Sequence, residues 1–163
     1  MIKLIWYHLS SGIVVLMIGS EAVAATATSQ FNVKLTIASG CDMLVTTDVD
    51  FGVQNFVVDK ITGQGSVTIA CTNGLPYSVA LDGGQANDVN GRQMTHSNGV
   101  NKVNYQLYQD SALQVPWGSE TSVSVNGTGT GESKVLPVYG LITGPQAVVT
   151  GAYLDTITVT LTY

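Results

Sequence analysis

Apolar and polar residues alternate with a period of two along several short stretches of the chain, the pattern of strands that bury one face. Phe31, Val33, Leu35 and Ile37 alternate with Asn32, Lys34 and Thr36. Val67, Ile69 and Cys71 alternate with Thr68 and Ala70, and the pattern returns in Tyr77, Val79 and Leu81 and again in Val103, Tyr105 and Leu107. The cleanest run is the last: Ile157, Val159, Leu161 and Tyr163 face one way, Thr156, Thr158, Thr160 and Thr162 the other. Val135 to Ile142 is nearly all apolar and predicts a strand covered on both faces. Turn signals separate these runs: Thr72-Asn73-Gly74, Asp82-Gly83-Gly84, Asn90-Gly91, Asn98-Gly99 and Gly144-Pro145. The pattern predicts an all-β chain, with a sandwich as its natural architecture. Residues 118–133, dominated by Gly, Ser and Thr, read as a mobile exposed loop. Neither a repeat nor a second domain is evident.

The first residues follow a different rule. Lys3 precedes the apolar stretch Gly12 to Gly19, and Ala22-Val23-Ala24 is a small-x-small site of the kind signal peptidase accepts. Residues 1–24 therefore read as a signal peptide. A membrane anchor is the competing reading, but His8, Ser10 and Ser11 break the ~20 continuous apolar residues that a span needs. Export places Cys41 and Cys71 in an oxidising compartment, where an isolated pair forms a disulfide. Closing that loop stabilises by roughly 3–4 kcal/mol. A metal site would need more ligands, because His96 is the sole histidine after residue 24. Eleven acids against six bases give a net charge of −5, which repels nucleic acid.

Candidate chemistry is sparse. His96 lies in Met94-Thr95-His96-Ser97-Asn98-Gly99, which reads as a surface turn rather than a catalytic centre. Asp48 and Asp50 stand two apart on a strand-like segment, a commonplace spacing that does not make a glycosidase pair. Asp88-Val89-Asn90-Gly91 begins like a calcium loop, yet its glycine comes too early and no closing Glu follows. Gly127-Thr128-Gly129-Thr130-Gly131 lacks the lysine and helix of a phosphate cradle, and Asn126-Gly127-Thr128 matches a glycosylation acceptor. Tyr105, Tyr108 and Trp117 could line a sugar site, although such residues serve more often as the core and edges of a sandwich. The reading yields no catalytic residue, no metal, no cofactor and no small-molecule substrate.

Several stretches, taken in order, carry more than any one of them: Val33-Lys34-Leu35 leading to Gly40-Cys41, Leu81-Asp82-Gly83-Gly84, Gly91-Arg92-Gln93-Met94, Tyr105-Gln106-Leu107-Tyr108-Gln109-Asp110 and Trp117-Gly118. Leu136-Pro137-Val138-Tyr139-Gly140 and Gly151 to Tyr163 complete the series. Together they resemble the spore coat protein U domain family, which includes the subunits of archaic, Csu-type chaperone–usher pili. The resemblance implies an immunoglobulin-like sandwich lacking its last strand. It also implies three partners: a periplasmic chaperone that lends a strand, an outer-membrane usher, and neighbouring subunits whose N-terminal extensions replace the loan. On this reading residues 25–38 are the donor extension, with Phe31, Val33, Leu35 and Ile37 as its apolar face. Residues 39–163 are the incomplete pilin domain, and Ile157, Val159, Leu161 and Tyr163 form the last strand beside the acceptor groove. The chain stops at Tyr163, at the end of that strand. Alternation alone does not separate a donated strand from one paired within its own domain. A single domain favours a stalk or adaptor subunit over a two-domain tip adhesin, exported through the periplasm to the cell surface and serving adhesion and biofilm formation. A coat protein of the spore type is the alternative within the structural class, and a secreted carbohydrate-binding module the alternative outside it.

Overall fold

The computed structural model describes residues 25–163, so the signal peptide read over residues 1–24 lies outside the described residues. β1 (Cys41–Asp50) and β2 (Ile61–Cys71) form an antiparallel ladder that opens with Cys41 opposite Cys71. β3 (Pro76–Leu81) is followed by the short strands β4 (Gln93–His96), β5 (Lys102–Asn104), β6 (Gln106–Tyr108) and β7 (Val125–Thr128). Then come β8 (Ser133–Ile142), β9 (Tyr153–Leu154) and β10 (Val159–Thr162). The strands lie in the orders β1-β2-β8-β6, β10-β3-β7 and β5-β4-β9. No helix among the described residues is long and apolar enough to cross a membrane.

Period-two patterning decides which side chains meet. Val67, Ile69 and Cys71 of β2, Tyr77, Val79 and Leu81 of β3, and Leu136, Val138 and Ile142 of β8 are all buried in one core. Gly140 is buried between them for lack of a side chain: a Cβ there would lie 2.5 Å from Val49 and 2.7 Å from the Phe51 ring. Phe51 uses the space to meet Tyr105 edge-on, with ring centroids 6.3 Å apart. In a seven-stranded immunoglobulin-type sandwich, the first, second, fifth and fourth strands make one sheet and the third, sixth and seventh the other. Here β1-β2-β8-β6 supplies the first sheet, and β3 with β10 the third and sixth places. The protein is an all-β, immunoglobulin-like sandwich. Among the described residues no strand takes the seventh place, on the free edge of β10.

Four local readings need correction or addition. β8 is not covered on both faces: Leu136, Val138 and Ile142 are buried, but Val135 is 61% exposed and Pro137, Tyr139 and Leu141 are half-buried. One face of an antiparallel sheet can stay wet, so an apolar run does not by itself imply two covering layers. Residues 118–133 are not a free loop, because Val125–Thr128 pairs with β3 and Ser124 is buried. The backbone hydrogen bonds of β7 use no side chain, so its composition gave no sign of them. Val103, Tyr105 and Leu107 are buried as their alternation predicts, yet the chain changes partners at Tyr105, β5 pairing with β4 and β6 with β8. β1 escaped the alternation pattern because its register shifts between Met43 and Val45 and again between Thr47 and Asp50.

Candidate functional site

The free edge of β10 is held in place by two carboxylates. Asp155 accepts hydrogen bonds from the Tyr105 hydroxyl at 2.6 Å, from Gln85 N at 2.9 Å and from Thr156 N at 2.8 Å. Asp82 accepts from Gly84 N at 3.0 Å and from Thr158 N at 2.9 Å. Residues 155–158 are thus tied to the turn that follows β3, and β10 enters its ladder with Val159 opposite Leu81 and Leu161 opposite Val79. Burial pushes the Asp82 carboxyl up, but the donors of Thr158 and Gly84 and the charge of Arg92 outweigh it and hold it below the usual carboxylate range. Burial, followed by the bond to Asp155, raises the Tyr105 hydroxyl far above the ordinary tyrosine range.

Behind these carboxylates lies Arg92, 0% exposed. Its guanidinium donates to the carbonyls of Asp82 (2.6 and 2.9 Å), Leu81 (3.2 Å) and Trp117 (2.9 Å), and to Gln106 Oε1 at 2.7 Å. Burial lowers its pKa, partly offset by Tyr105 and by the carboxylates of Asp82, Asp155 and Asp88. Trp117, also buried, donates its indole N–H to Val79 O at 2.9 Å, so Arg92 and Trp117 lock the end of β3 to β6. From the sequence, Arg92 entered only within the stretch Gly91-Arg92-Gln93-Met94, with no role of its own. The available signal was the scarcity of charge, Arg92 being the one arginine among six basic residues.

The apolar residues expected beside the groove divide in two. Ile157, Val159 and Leu161 are half-buried and pack on the core, whereas Tyr163 lies past the end of β10 and is 62% exposed. Met43, Val49 and Phe51, on β1 and just after it, are likewise half-buried against that core. β1 and β10 are each the edge strand of a sheet, paired on one side. Residues 25–40 hold no secondary structure, and Phe31, Val33, Leu35 and Ile37 are exposed at 88, 88, 84 and 72%. Cys41 and Cys71 are joined by a disulfide at the mouth of the β1–β2 ladder.

The remaining candidates fall to structural roles. His96 is buried at the end of β4 rather than in a surface turn. Its Nδ1 accepts from Asn98 N at 3.0 Å, and its ring meets Tyr153 edge-on at 4.9 Å. Asp50 accepts from Gly52 N and Asp88 from Asn90 N, each closing a turn of its own chain. The amide of Asn126 is bonded to the carbonyls of Thr121 and Ser124. Trp117 and Tyr105 sit in the core, leaving Tyr108 half-exposed. Among the described residues no group of three or more His, Cys, Asp or Glu is placed to hold a metal ion.

Comparison with known proteins places this geometry. The family model for the Spore Coat Protein U domain matches residues 27–160. Protein U of Myxococcus xanthus is 27% identical over 161 residues, covering 88% of this chain and 89% of that protein. Among solved structures, the chain is similar to the CsuC–CsuE chaperone–tip adhesion subunit pre-assembly complex from archaic chaperone–usher Csu pili of Acinetobacter baumannii. The TM-score is 0.59 at 22% identity, over 78% of this chain and 41% of that one. The chain therefore spans about two-fifths of that neighbour's length, and the likeness is one of fold. The match of residues 27–160 takes in both the sandwich and most of the segment before it, and the chain belongs to the Spore Coat Protein U domain family.

Proposed function

We propose that the chain is a pilin-type subunit of a chaperone–usher surface fibre that polymerises by exchanging strands between copies. The observation that carries this reading is a mismatch within the molecule. Among the described residues the sandwich has no strand in its seventh place beside β10, while the alternating apolar residues Phe31, Val33, Leu35 and Ile37 are exposed and outside any strand. An unfilled place beside an edge strand presents unpaired backbone groups and core side chains to water, an aggregation hazard. A strand supplied by another chain covers both at once. Burying four large apolar side chains contributes roughly 6–12 kcal/mol before ordering costs. A donor segment on one copy and a groove on the next make a head-to-tail contact, which propagates as a filament.

On this reading a periplasmic chaperone occupies the place first, an outer-membrane usher exchanges it for the next subunit's residues 25–38, and the fibre reaches the cell surface to act in adhesion and biofilm formation. A solved complex of a chaperone with a tip adhesion subunit supports the chaperone step by likeness of fold. The near full-length match to Protein U favours, as a second reading, a coat that uses the same strand chemistry. The direct test moves residues 26–38 to follow Tyr163 through a short flexible linker. A soluble monomer with a higher melting temperature than the unmodified chain, purified without chaperone, is the expected result. Absence of any gain counts against strand exchange.

A further inference from the structure

The outward face of the sheet β1-β2-β8-β6 carries a row that strand register builds across all four strands. Asp50 stands opposite Gln64, Gln64 opposite Tyr139, and Tyr139 opposite Tyr108. Directly opposed residues of antiparallel strands project to the same face. Here that face points away from the core, since the flanking Leu107, Val138 and Gly140 are buried. Asp50 and Gln64 are exposed and both tyrosines half-exposed. Three strand spacings make the row about 14 Å long, the length of a short oligosaccharide. One step along the same strands, Gln106 and Leu141 border a depression of 360 Å³. One step the other way, the Thr47 and Ser66 hydroxyls bond each other at 2.9 Å.

We propose that this row binds a neutral, extended polysaccharide. Two half-exposed tyrosines opposed across neighbouring strands on one face of the sheet offer stacking surface to the C–H faces of sugar rings, and their hydroxyls can bond to sugar oxygens. The amide of Gln64 and the carboxylate of Asp50 continue the row with donors and acceptors for sugar hydroxyls. Its sole charge is negative and no lysine or arginine belongs to it, so an acidic polymer is repelled. Half of the row is polar, whereas the centre of a protein–protein interface is depleted in charge. The sequence had grouped Tyr108 with Tyr105 and Trp117. The fold sends those two inward and gives Tyr108 a different partner, Tyr139.

The test titrates cellohexaose into the full chain as purified, by calorimetry, with polygalacturonate as the acidic control. Saturable binding of cellohexaose and none of polygalacturonate is expected. Tyr108→Ala and Tyr139→Ala should each weaken binding by about fivefold, and the double variant should abolish it. Gln64→Ala changes one exposed side chain and should weaken binding while the disulfide and circular dichroism stay those of the parent. Leu35→Asp, which changes no residue of the row, should leave binding unchanged even where it stops fibre growth. Lack of saturable binding to cellohexaose, equal affinity for polygalacturonate, or unchanged affinity in a folded double variant would each overturn the assignment.

Discussion

The Tyr105 hydroxyl donates to Asp155 Oδ2 at 2.6 Å across a separation of 50 residues, and this bond fixes the approach to β10. Burial and the bond together raise the folded-state pKa of Tyr105 above the unfolded value of about 10. The stability it contributes is therefore complete below about pH 10 and is lost as the pH rises above that value. Urea denaturation across alkaline pH should show this decline in the parent and a flatter limb in Tyr105→Phe. At neutral pH the same variant should lose about 1.5–3 kcal/mol, the range for a hydrogen bond to a charged group.

Asp82 acts at the other end of the pH scale. Its folded-state pKa lies below the unfolded value of about 3.9, so its contribution is present above that pH and disappears as the pH falls through the folded value. Acid should loosen the segment that Asp82 holds through Thr158 N. Hydrogen exchange at Thr158 and along β10 should accelerate on acidification. In Asp82→Asn it should already be fast at neutral pH, with a weaker acid response.

Arg92 should tolerate no substitute. Arg92→Met leaves the carbonyls of Leu81, Asp82 and Trp117 without their buried donor, at about 1–3 kcal/mol for each group left unpaired. Arg92→Lys should recover little, because a compact ammonium lacks the planar fork that reaches these acceptors together. Thermal denaturation of both variants measures it, and near-parental stability of the Lys variant would contradict the role assigned to the fork.

Cys41 and Cys71 close a loop with a sequence separation of 30. Cys71→Ala should cost about 2–5 kcal/mol and lower the yield of exported protein. Mass spectrometry of unreduced parent protein should find the two cysteines in one linked peptide pair.

Leu35→Asp separates a donated strand from a self-paired one. Leu35 is 84% exposed and outside any strand, so the substitution should leave the stability of the isolated chain unchanged. A carboxylate driven into an apolar slot costs several kcal/mol, so fibre growth followed by electron microscopy should stop. A variant that unfolds on its own, or fibres that form normally, would refute donation.

Alternation made the core strands legible. Val67, Ile69, Tyr77, Val79, Leu81, Val103 and Leu107 are buried as their spacing requires, because period two is a property of the extended backbone at each strand. Turn residues and the cysteine pair were readable for the same reason, each being a local or compositional fact. Other features had no local trace: the wet face of β8, the bulged course of β1, the strand at Val125–Thr128, and the carbonyl cage around Arg92. Tyr108 groups with Tyr105 and Trp117 in the sequence, and only when β6 is laid against β8 does Tyr139 become its partner. Which distant strand a segment pairs with, and in what register, follows from the summed packing of the whole sandwich. A one-residue slip would turn every side chain of that strand to the opposite face, and only the closed core forbids it.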